Sequence, residues 1–293
     1  MRQSYIPSGG AIWWQNWDET TKLSIEVKEM IHSEQTPFQK IEVYRSDTYG
    51  TFFTLDGLMM VNEKDEFIYH EMITHVAMAT NPDIQTILII GGGDGGTSRE
   101  LSKYPKIKRI DMVEIDERVV RVCETYLPVT AGHLKEDSRI KLYFEDGFKF
   151  ISNQMDGIYD LIIVDSTDPI GPGEGLFTKA FYELCHRKLS PNGILINQHE
   201  SPYYEFHQKG MLRAHARIKA LFPVVEVYQY HMPTYPSGHW LFGFASKKLD
   251  PIGDHNVKAW EKLGIKTRYY NSKIHEGAFA LPNYVLDLIN HRE

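Results

Sequence analysis

Cysteine is scarce in this sequence, which has 293 residues and two cysteines, Cys123 and Cys185. No CxxC pair and no HExxH pattern occurs, so a disulfide framework and a zinc site built on either motif are excluded. We therefore expect two buried, reduced thiols and no metal centre.

Long apolar runs are also missing. No stretch reaches the length of about 20 apolar residues that a membrane span needs, and the first residues lack the apolar core of a signal peptide. We expect a cytoplasmic protein that does not enter a membrane. Lysine and arginine are scattered rather than clustered, and the formal net charge is -7. This pattern disfavours nucleic acid as a partner and is compatible with a cationic small ligand.

The sequence begins with a β-rich segment. Strand-forming runs in KIEVYRSDTYGTFFTLDGLMMVN alternate with turns. Asp56-Gly57, between two apolar runs, is a strong hairpin signal. We predict a small N-terminal β domain over residues 1–62.

From residue 63 onward the periodicity changes. EFIYHEMITHVAMAT predicts a helix, after which apolar strands and helices alternate at βαβ spacing. This alternation predicts a Rossmann-like, methyltransferase-type α/β domain over residues 63–293, with a doubly wound sheet, a late β pair and a helical tail. Ligands of such sheets bind beyond the carboxyl ends of the strands. The residues that follow each strand are therefore the candidate site.

A first candidate group would hold a nucleotide. GGGDGG at residues 91–96 follows an apolar strand and opens a helix, where glycines let a ligand approach the backbone. Glu114 ends the next strand, 18 residues after Gly96, where a carboxylate accepts hydrogen bonds from ribose hydroxyls. Asp146 and Gly147 end the following strand, where the aspartate can accept from an adenine amino group and the glycine permits a close turn.

Asp94 decides which kind of nucleotide fits the loop. It stands where a pyrophosphate or an amino-acid carboxylate would otherwise lie. It would repel either anion by about 4 kcal/mol at an effective dielectric constant of about 20, and it would attract an ammonium group by a similar amount. The loop therefore favours a nucleotide with a cationic tail over NAD.

A second candidate group would carry the chemistry. Asp165 and Asp168 follow the strand YDLIIV, and the Gly/Pro-rich segment after them is typical of a lid hinge. A primary ammonium has a pKa of about 10.4 and is not nucleophilic at neutral pH, so an amine alkyltransferase needs a proton acceptor beside it. One carboxylate can take this proton while the other holds the cation.

Four further residues can complete the site. A tyrosine offers a phenolic oxygen and an aromatic face for a cation, and histidine and glutamine offer polar contacts. The candidates are Tyr69, His70, Gln198 and Tyr235.

These motifs together resemble those of the polyamine aminopropyltransferases, specifically the spermidine synthases. The resemblance rests on GGGDGG, VEID, the EDG turn, VDSTDPIGPGEGLF and PTYPSGHW in this order, with FQKIEVY and LDGLMMVNEKDEFIYHEM before them. It runs from about Trp13 to the C-terminus. Other members of the family can carry glutamine where this sequence has His70.

The resemblance implies transfer of the aminopropyl group of decarboxylated S-adenosylmethionine to putrescine, giving spermidine and methylthioadenosine. It implies that Asp165 accepts the proton, that Asp168 anchors the diamine, and that Asp94 contacts the aminopropyl amine or the bound polyamine. The residues implied at the nucleoside site are Gln39, Gly91, Glu114, Asp146, Gly147 and Pro172. Those implied in the amine channel are Tyr69, His70, Gln198 and Tyr235.

The implied donor is a co-substrate, and no cofactor is expected. Its sulfonium makes the propyl carbon electrophilic, so the enzyme has to align the reactants and remove a proton. The family assembles as dimers or tetramers, so we expect a homodimer or a homotetramer.

Three alternatives remain open at this point. A methyltransferase that uses intact S-adenosylmethionine would share the fold. A related aminopropyltransferase would use agmatine, cadaverine or spermidine as acceptor. A non-catalytic polyamine sensor would bind without turnover, although the acids at 165 and 168 favour an enzyme.

Overall fold

The computed structural model describes residues 11–16, 21–166 and 171–290. Its first part is built from antiparallel strands, in a two-stranded sheet β1-β2 and a four-stranded sheet β3-β4-β5-β6. The strands are β1 (Ala11–Asn16), β2 (Lys22–Val27), β3 (Glu29–Gln35), β4 (Lys40–Ser46), β5 (Gly50–Leu55) and β6 (Leu58–Asn62). Asp56 and Gly57 join β5 to β6 with φ values of 49° and 76°. The predicted hairpin is therefore confirmed, because the favoured two-residue hairpin turn needs positive φ at both positions.

The second part is built on a seven-stranded sheet of order β12-β13-β11-β10-β7-β8-β9. Its strands are β7 (Thr86–Gly91), β8 (Arg109–Val113), β9 (Ile140–Tyr143), β10 (Tyr159–Asp165), β11 (Leu189–Gln198), β12 (Val224–His231) and β13 (His239–Ser246). The strands from β11 to β9 run parallel, whereas β13 is antiparallel to both of its neighbours. The chain winds outward from β7 in both directions, so the switch point lies between β7 and β10.

Helices cover this sheet and close the described chain. They are α1 (Glu66–Thr80), α2 (Gly96–Ser102), α3 (Glu117–Tyr126), α4 (Pro128–Ala131), α5 (Gly147–Ser152), α6 (Lys179–Lys188), α7 (Glu205–Lys219), α8 (Val257–Lys262), α9 (Ser272–Ala278) and α10 (Asn283–Asn290). Two 3-10 helices span Gly132–Lys135 and Gly171–Phe177. Within the described ranges, none of the helices has the length and apolar character needed to cross a bilayer.

Both faces of the sheet are buried, as the doubly wound prediction requires. Along β7, Ile87 and Ile89 pack into one apolar cluster, whereas Leu88 and Ile90 pack into another. This division follows from the two-residue period of a strand. Cys123 and Cys185 are buried, free thiols, as predicted.

Helix α1 links the two parts of the chain. The last N-terminal strand ends at Asn62, and the side-chain amide of Asn62 donates hydrogen bonds to Asp65 and Thr234. Every residue of α1 except Phe67 is buried, so its polar side chains must find partners inside the protein. The division into two domains at residue 62 stays a prediction.

Candidate active site

A cavity of about 320 Å³ opens at the carboxyl ends of β7, β8, β10 and β11. Eleven residues singled out from the sequence line it, namely Gln39, Tyr69, His70, Gly91, Asp94, Glu114, Asp146, Gly147, Asp165, Gln198 and Tyr235. Pro172 belongs to the 3-10 helix Gly171–Phe177, and Asp168 lies outside the described residues. The structure therefore brings together residues that are up to 196 positions apart in the chain, from Gln39 to Tyr235.

The glycine loop brings β7 and β10 into close contact. Gly91 has a φ of 86°, and a β-carbon there would overlap the carbonyl oxygen of Asp165. The N–H of Gly92 donates to that same carbonyl at 2.8 Å. Glycine is needed here for both reasons, because other residues rarely adopt this φ and no space exists for a side chain.

Asp94 lies in this loop and is engaged on two sides. Its Oδ1 accepts the N–H of Gly96 at 2.8 Å and lies 3.1 Å from Nε2 of His70. Burial acts to raise the pKa of Asp94, but His70 outweighs that effect, so the pKa lies below its usual value. Asp94 is therefore an ionised carboxylate. It accepts the backbone N–H of Gly96, which a bound phosphate would otherwise use as a hydrogen-bond donor.

His70 lies between two carboxylates. Its Nδ1 is 2.6 Å from Oε2 of Glu66, one helical turn earlier. Burial alone lowers the pKa of His70, but Asp94 and Glu66 outweigh it and raise the pKa to about 10. The sequence predicts a place for His70 in the amine channel. Its ring does line the cavity, but both of its nitrogens already face acids.

Asp165, at the end of β10, is held by two hydroxyl donors. The hydroxyl of Tyr69 donates to its Oδ1 at 2.7 Å, and the hydroxyl of Thr97 donates to its Oδ2 at 2.6 Å. Burial raises the pKa of Asp165 and the charge of Asp94 adds to this effect, while His70 and the two hydroxyls oppose it. Sequence reasoning missed Thr97, although its position in the first turn after the glycine loop places it at this sheet edge.

Glu114 follows β8 and is buried in the cavity wall, where its Oε2 would lie 2.9 Å from a β-carbon added at Gly93. Its Oε1 accepts the N–H of Asp116 at 3.0 Å. Burial raises its pKa to about 7, and the charges of Asp116 and Asp165 contribute. A carboxylate in this position can accept hydrogen bonds from a vicinal diol.

Asp116 attaches the loop between β3 and β4 to the cavity wall. Its Oδ2 accepts the hydroxyl of Thr36 at 2.7 Å and the side-chain amide of Gln39 at 3.2 Å. The loop between β3 and β4 therefore places Gln39 at the cavity. Asp116 was not singled out from the sequence, because its partners lie 80 and 77 residues away.

The remaining predicted residues line different walls. Asp146 caps the N-terminus of α5, where its side chain accepts the N–H of Lys149 at 2.7 Å, and Gly147 is the first residue of the helix. The hydroxyl of Tyr235 donates a hydrogen bond to the carbonyl of Met60 at 2.6 Å, so this O–H is already paired with the protein backbone. Gln198 ends β11 at the cavity.

Aromatic rings form one wall. The Tyr235 ring lies 6.4 Å from that of Tyr69 and 5.1 Å from that of Trp240, measured between centroids. Trp240 lines the cavity and was missed from the sequence. Aromatic faces attract cations.

The cavity as a whole is acidic. Six acids line it, namely Asp56, Glu66, Asp94, Glu114, Asp146 and Asp165. Among its described lining residues there is no lysine or arginine. The lining therefore suits a ligand that carries positive charge and hydroxyl groups.

Fold and site together define a Rossmann-like transferase with an anionic pocket at the switch point of its sheet. Comparison with known proteins makes this assignment specific. Residues 66–254 match the spermine/spermidine synthase domain, and residues 12–63 match the spermidine synthase tetramerisation domain. The chain therefore belongs to the spermine/spermidine synthase family, and it is an enzyme of the aminopropyltransferase class.

Individual relatives agree with this assignment. The chain is 62% identical over 275 residues to a polyamine aminopropyltransferase of Clostridium acetobutylicum, with 94% of this chain and 96% of the relative covered. A crystal structure of a spermidine synthase in complex with the transition state analogue AdoDATO superposes with a TM-score of 0.92 at 35% identity, covering 99% and 98% of the two chains. A spermidine synthase from Thermotoga maritima superposes with a TM-score of 0.90 at 33% identity, covering 99% and 97%.

Proposed function

We propose that this enzyme transfers the aminopropyl group of decarboxylated S-adenosylmethionine to putrescine, producing spermidine and methylthioadenosine. The observation that carries the proposal is the charge of the cavity. Asp94 in the glycine loop and Asp165 at the end of β10 both line it, and the described lining holds no lysine or arginine. Both proposed substrates are cations, and the donor also carries a ribose. The acids that line the cavity are complementary to such a pair.

The decarboxylated form of the donor follows from Asp94. A carboxylate on the donor's tail would approach this acid and be repelled by about 4 kcal/mol at an effective dielectric constant of about 20. An aminopropyl ammonium would be attracted instead. We assign the ribose to Glu114, and we assign Gln39, Gly91, Asp146, Gly147 and Pro172 to the rest of the nucleoside.

In the proposed reaction, the primary amine of putrescine attacks the propyl carbon next to the sulfonium. The new C–N bond forms as the C–S bond breaks, and sulfur leaves as the neutral thioether of methylthioadenosine. Asp165 accepts the proton that the amine loses. Its raised pKa suits a general base, since a carboxyl of ordinary pKa holds a proton weakly at neutral pH.

The amine acceptor is proposed to lie between Asp165 and the aromatic wall. Tyr69, Gln198 and Tyr235 would line its path, and Asp168 would anchor the diamine. The sulfonium itself supplies the leaving group, so we propose that no resident cofactor takes part. We further propose a homodimer or homotetramer, since residues 12–63 match a tetramerisation domain.

Product analysis by mass spectrometry tests this proposal. Purified enzyme is incubated with decarboxylated S-adenosylmethionine and an equimolar mixture of putrescine, cadaverine and agmatine. Spermidine with an equal amount of methylthioadenosine supports the proposal. A preferred product from cadaverine or agmatine would replace putrescine as acceptor. Methylated amine from intact S-adenosylmethionine, with no product from the decarboxylated donor, would overturn the reaction.

A further inference from the structure

A row of alternating charges leads from the cavity into the protein. Asp94 faces Nε2 of His70 at 3.1 Å, and Nδ1 of His70 faces Glu66 at 2.6 Å. Both terminal nitrogens of Arg99 in turn donate hydrogen bonds to the carboxylate of Glu66, each at 2.9 Å. The side chains of His70 and Glu66 are 1% and 2% exposed, so these pairs are poorly screened by water.

This row of charges matters because two carboxylates line the cavity and a cation is needed to offset their repulsion. Asp94 and Asp165 are two carboxylates that line one cavity, and the charge of Asp94 raises the pKa of Asp165. A negative charge near a buried carboxyl favours its protonated form, and a nearby cation opposes this effect. A general base that already holds a proton cannot accept another. His70 is the basic side chain in the described lining of the cavity.

We propose that Glu66 and Arg99 are positioning residues that hold His70 as a fixed cation beside Asp94, and that this cation keeps Asp94 and Asp165 both ionised in the empty site. The inference rests on the proposed role of Asp165 as proton acceptor. Glu66 and Arg99 act through His70 and not on the substrates.

Geometry explains why His70 needs both partners. An ordinary histidine is mostly neutral at neutral pH, and burial favours the neutral form further. Glu66 accepts a hydrogen bond from Nδ1, and Oδ1 of Asp94 lies 3.1 Å from Nε2, which has no hydrogen-bond partner among the described residues. A negative charge therefore lies beside each ring nitrogen, and this arrangement favours the doubly protonated, cationic ring. Arg99 binds both oxygens of Glu66 and keeps this acid ionised.

The glycine loop also packs closely against the ring of His70. A β-carbon added at Gly96 would overlap three ring atoms of His70, so the glycine loop is shaped around the imidazole. The charged or titratable groups around His70 and Asp165 are Glu66 and Tyr69 from α1, Asp94 from the glycine loop, Arg99 from α2, Glu114 after β8 and Tyr230 from β12. Asp94 also interacts with Cys123 of α3 and with His133.

The first test measures the protonation of His70 directly in the substrate-free enzyme. Histidine labelled with ¹⁵N reports both ring nitrogens by NMR, and the signal that disappears in His70→Gln identifies the residue. At about pH 8, where an ordinary histidine is neutral, we expect both nitrogens of His70 to carry protons. In Glu66→Gln we expect the midpoint of this titration to fall. A neutral His70 in the wild type at this pH, or an unchanged midpoint in Glu66→Gln, would overturn the proposal.

The second test follows activity. His70→Gln keeps an N–H donor for Asp94 but removes the charge, so we expect the acidic limb of the pH profile of kcat to move to higher pH by about one unit. His186→Gln is the control, because His186 lies on α6 outside the cavity lining and packs against Phe222, with 5.0 Å between the ring centroids. Its profile should match the wild type. Coincident wild-type and His70→Gln profiles, or an equal shift in the control, would refute the proposal.

The two tests separate this inference from the proposed function. The NMR measurement needs no substrate, so a neutral His70 would overturn the inference even in an active aminopropyltransferase. Protonated His70 in an enzyme that makes no spermidine would support the fixed cation and reject the proposed reaction.

Discussion

The hydroxyl of Tyr69 donates a 2.7 Å hydrogen bond to Oδ1 of Asp165, across 96 residues of sequence. Tyr69 comes from α1 and Asp165 from the end of β10, so the contact fixes the position of the acid relative to the aromatic wall. Thr97 holds the second oxygen of the same carboxylate at 2.6 Å. With both oxygens held, the acid is already oriented before a substrate arrives.

Asp165→Asn tests the proposed proton acceptor. The amide keeps the shape of the side chain but cannot accept a proton from the amine, so kcat should fall by roughly 10²–10⁴ fold. Steady-state turnover measures this effect, and calorimetric titration with methylthioadenosine serves as the control, since nucleoside binding should change little. Wild-type turnover would remove Asp165 from the mechanism.

Tyr69→Phe tests whether the hydroxyl of Tyr69 lowers the pKa of Asp165. The hydroxyl of Tyr69 stabilises the ionised form of Asp165, so its removal should raise the pKa of Asp165. Activity is then lost at a higher pH as the solution is acidified, which the pH profile of kcat measures.

The matched control for this change is Tyr230→Phe. The Tyr230 ring lies 5.9 Å from that of Tyr69, and its buried hydroxyl has no hydrogen-bond partner among the described residues. The control should leave the acidic limb in place. An equal displacement in both variants would contradict the role given to the Tyr69 hydroxyl.

Glu114→Gln should make the folded protein more stable at alkaline pH while it weakens binding of the donor. Burial raises the pKa of Glu114 from 4.5 to about 7, so the folded protein binds this proton more tightly than the unfolded chain does. Stability therefore decreases as the pH rises from about 4.5 through about 7. At about pH 8 the variant should be more stable than the wild type by up to about 3 kcal/mol, while at about pH 5 the difference should be small.

Urea unfolding at the two pH values measures this stability difference. Binding of the donor should weaken in the same variant, because the amide oxygen is a poorer acceptor for ribose hydroxyls than a carboxylate. For the wild type, donor affinity should fall as the pH drops below about 7 and Glu114 takes up its proton. A variant that is less stable than the wild type at the higher pH would show that Glu114 does not carry a burial cost.

Gly91→Ala and Gly157→Ala form a matched pair for the glycine loop. Both glycines have positive φ, 86° and 71°, but only at Gly91 would a β-carbon overlap the backbone of Asp165, whereas the space around Gly157 is open. Gly157→Ala should cost about 1–2 kcal/mol of stability. Gly91→Ala should cost about 4 kcal/mol or more, since the backbone must also move. Urea denaturation measures both, and equal costs would mean that contact with β10 is unimportant.

Much of the site follows from a rule that can be read along the sequence. In a parallel sheet the carboxyl ends of the strands share one edge. The glycine loop, Glu114, Asp146 and Asp165 each follow a recognisable strand, so their convergence could be predicted, and all four line one cavity. The hairpin at Asp56-Gly57 was equally predictable, because the turn type requires those residues.

Tertiary structure decided how these residues are held and charged. No local motif marks Thr97, Asp116 or Arg99, since their partners at the site lie 68, 80 and 33 residues away. His70 shows the difference most clearly. Its place on a helix beside Tyr69 can be read from the sequence, but its pKa depends on Asp94 in a loop from another part of the chain.

The physical reason lies in the range of each interaction. Strand and helix periodicity and turn conformation are local properties, so the sequence by itself determined the order of elements, the glycine loop and the acids at the strand ends. Burial and the neighbouring charges set the ionisation of those acids. They exist only once the chain is packed, so the structure alone decided that Asp94 pairs with a cation and that Asp165 is held between Tyr69 and Thr97.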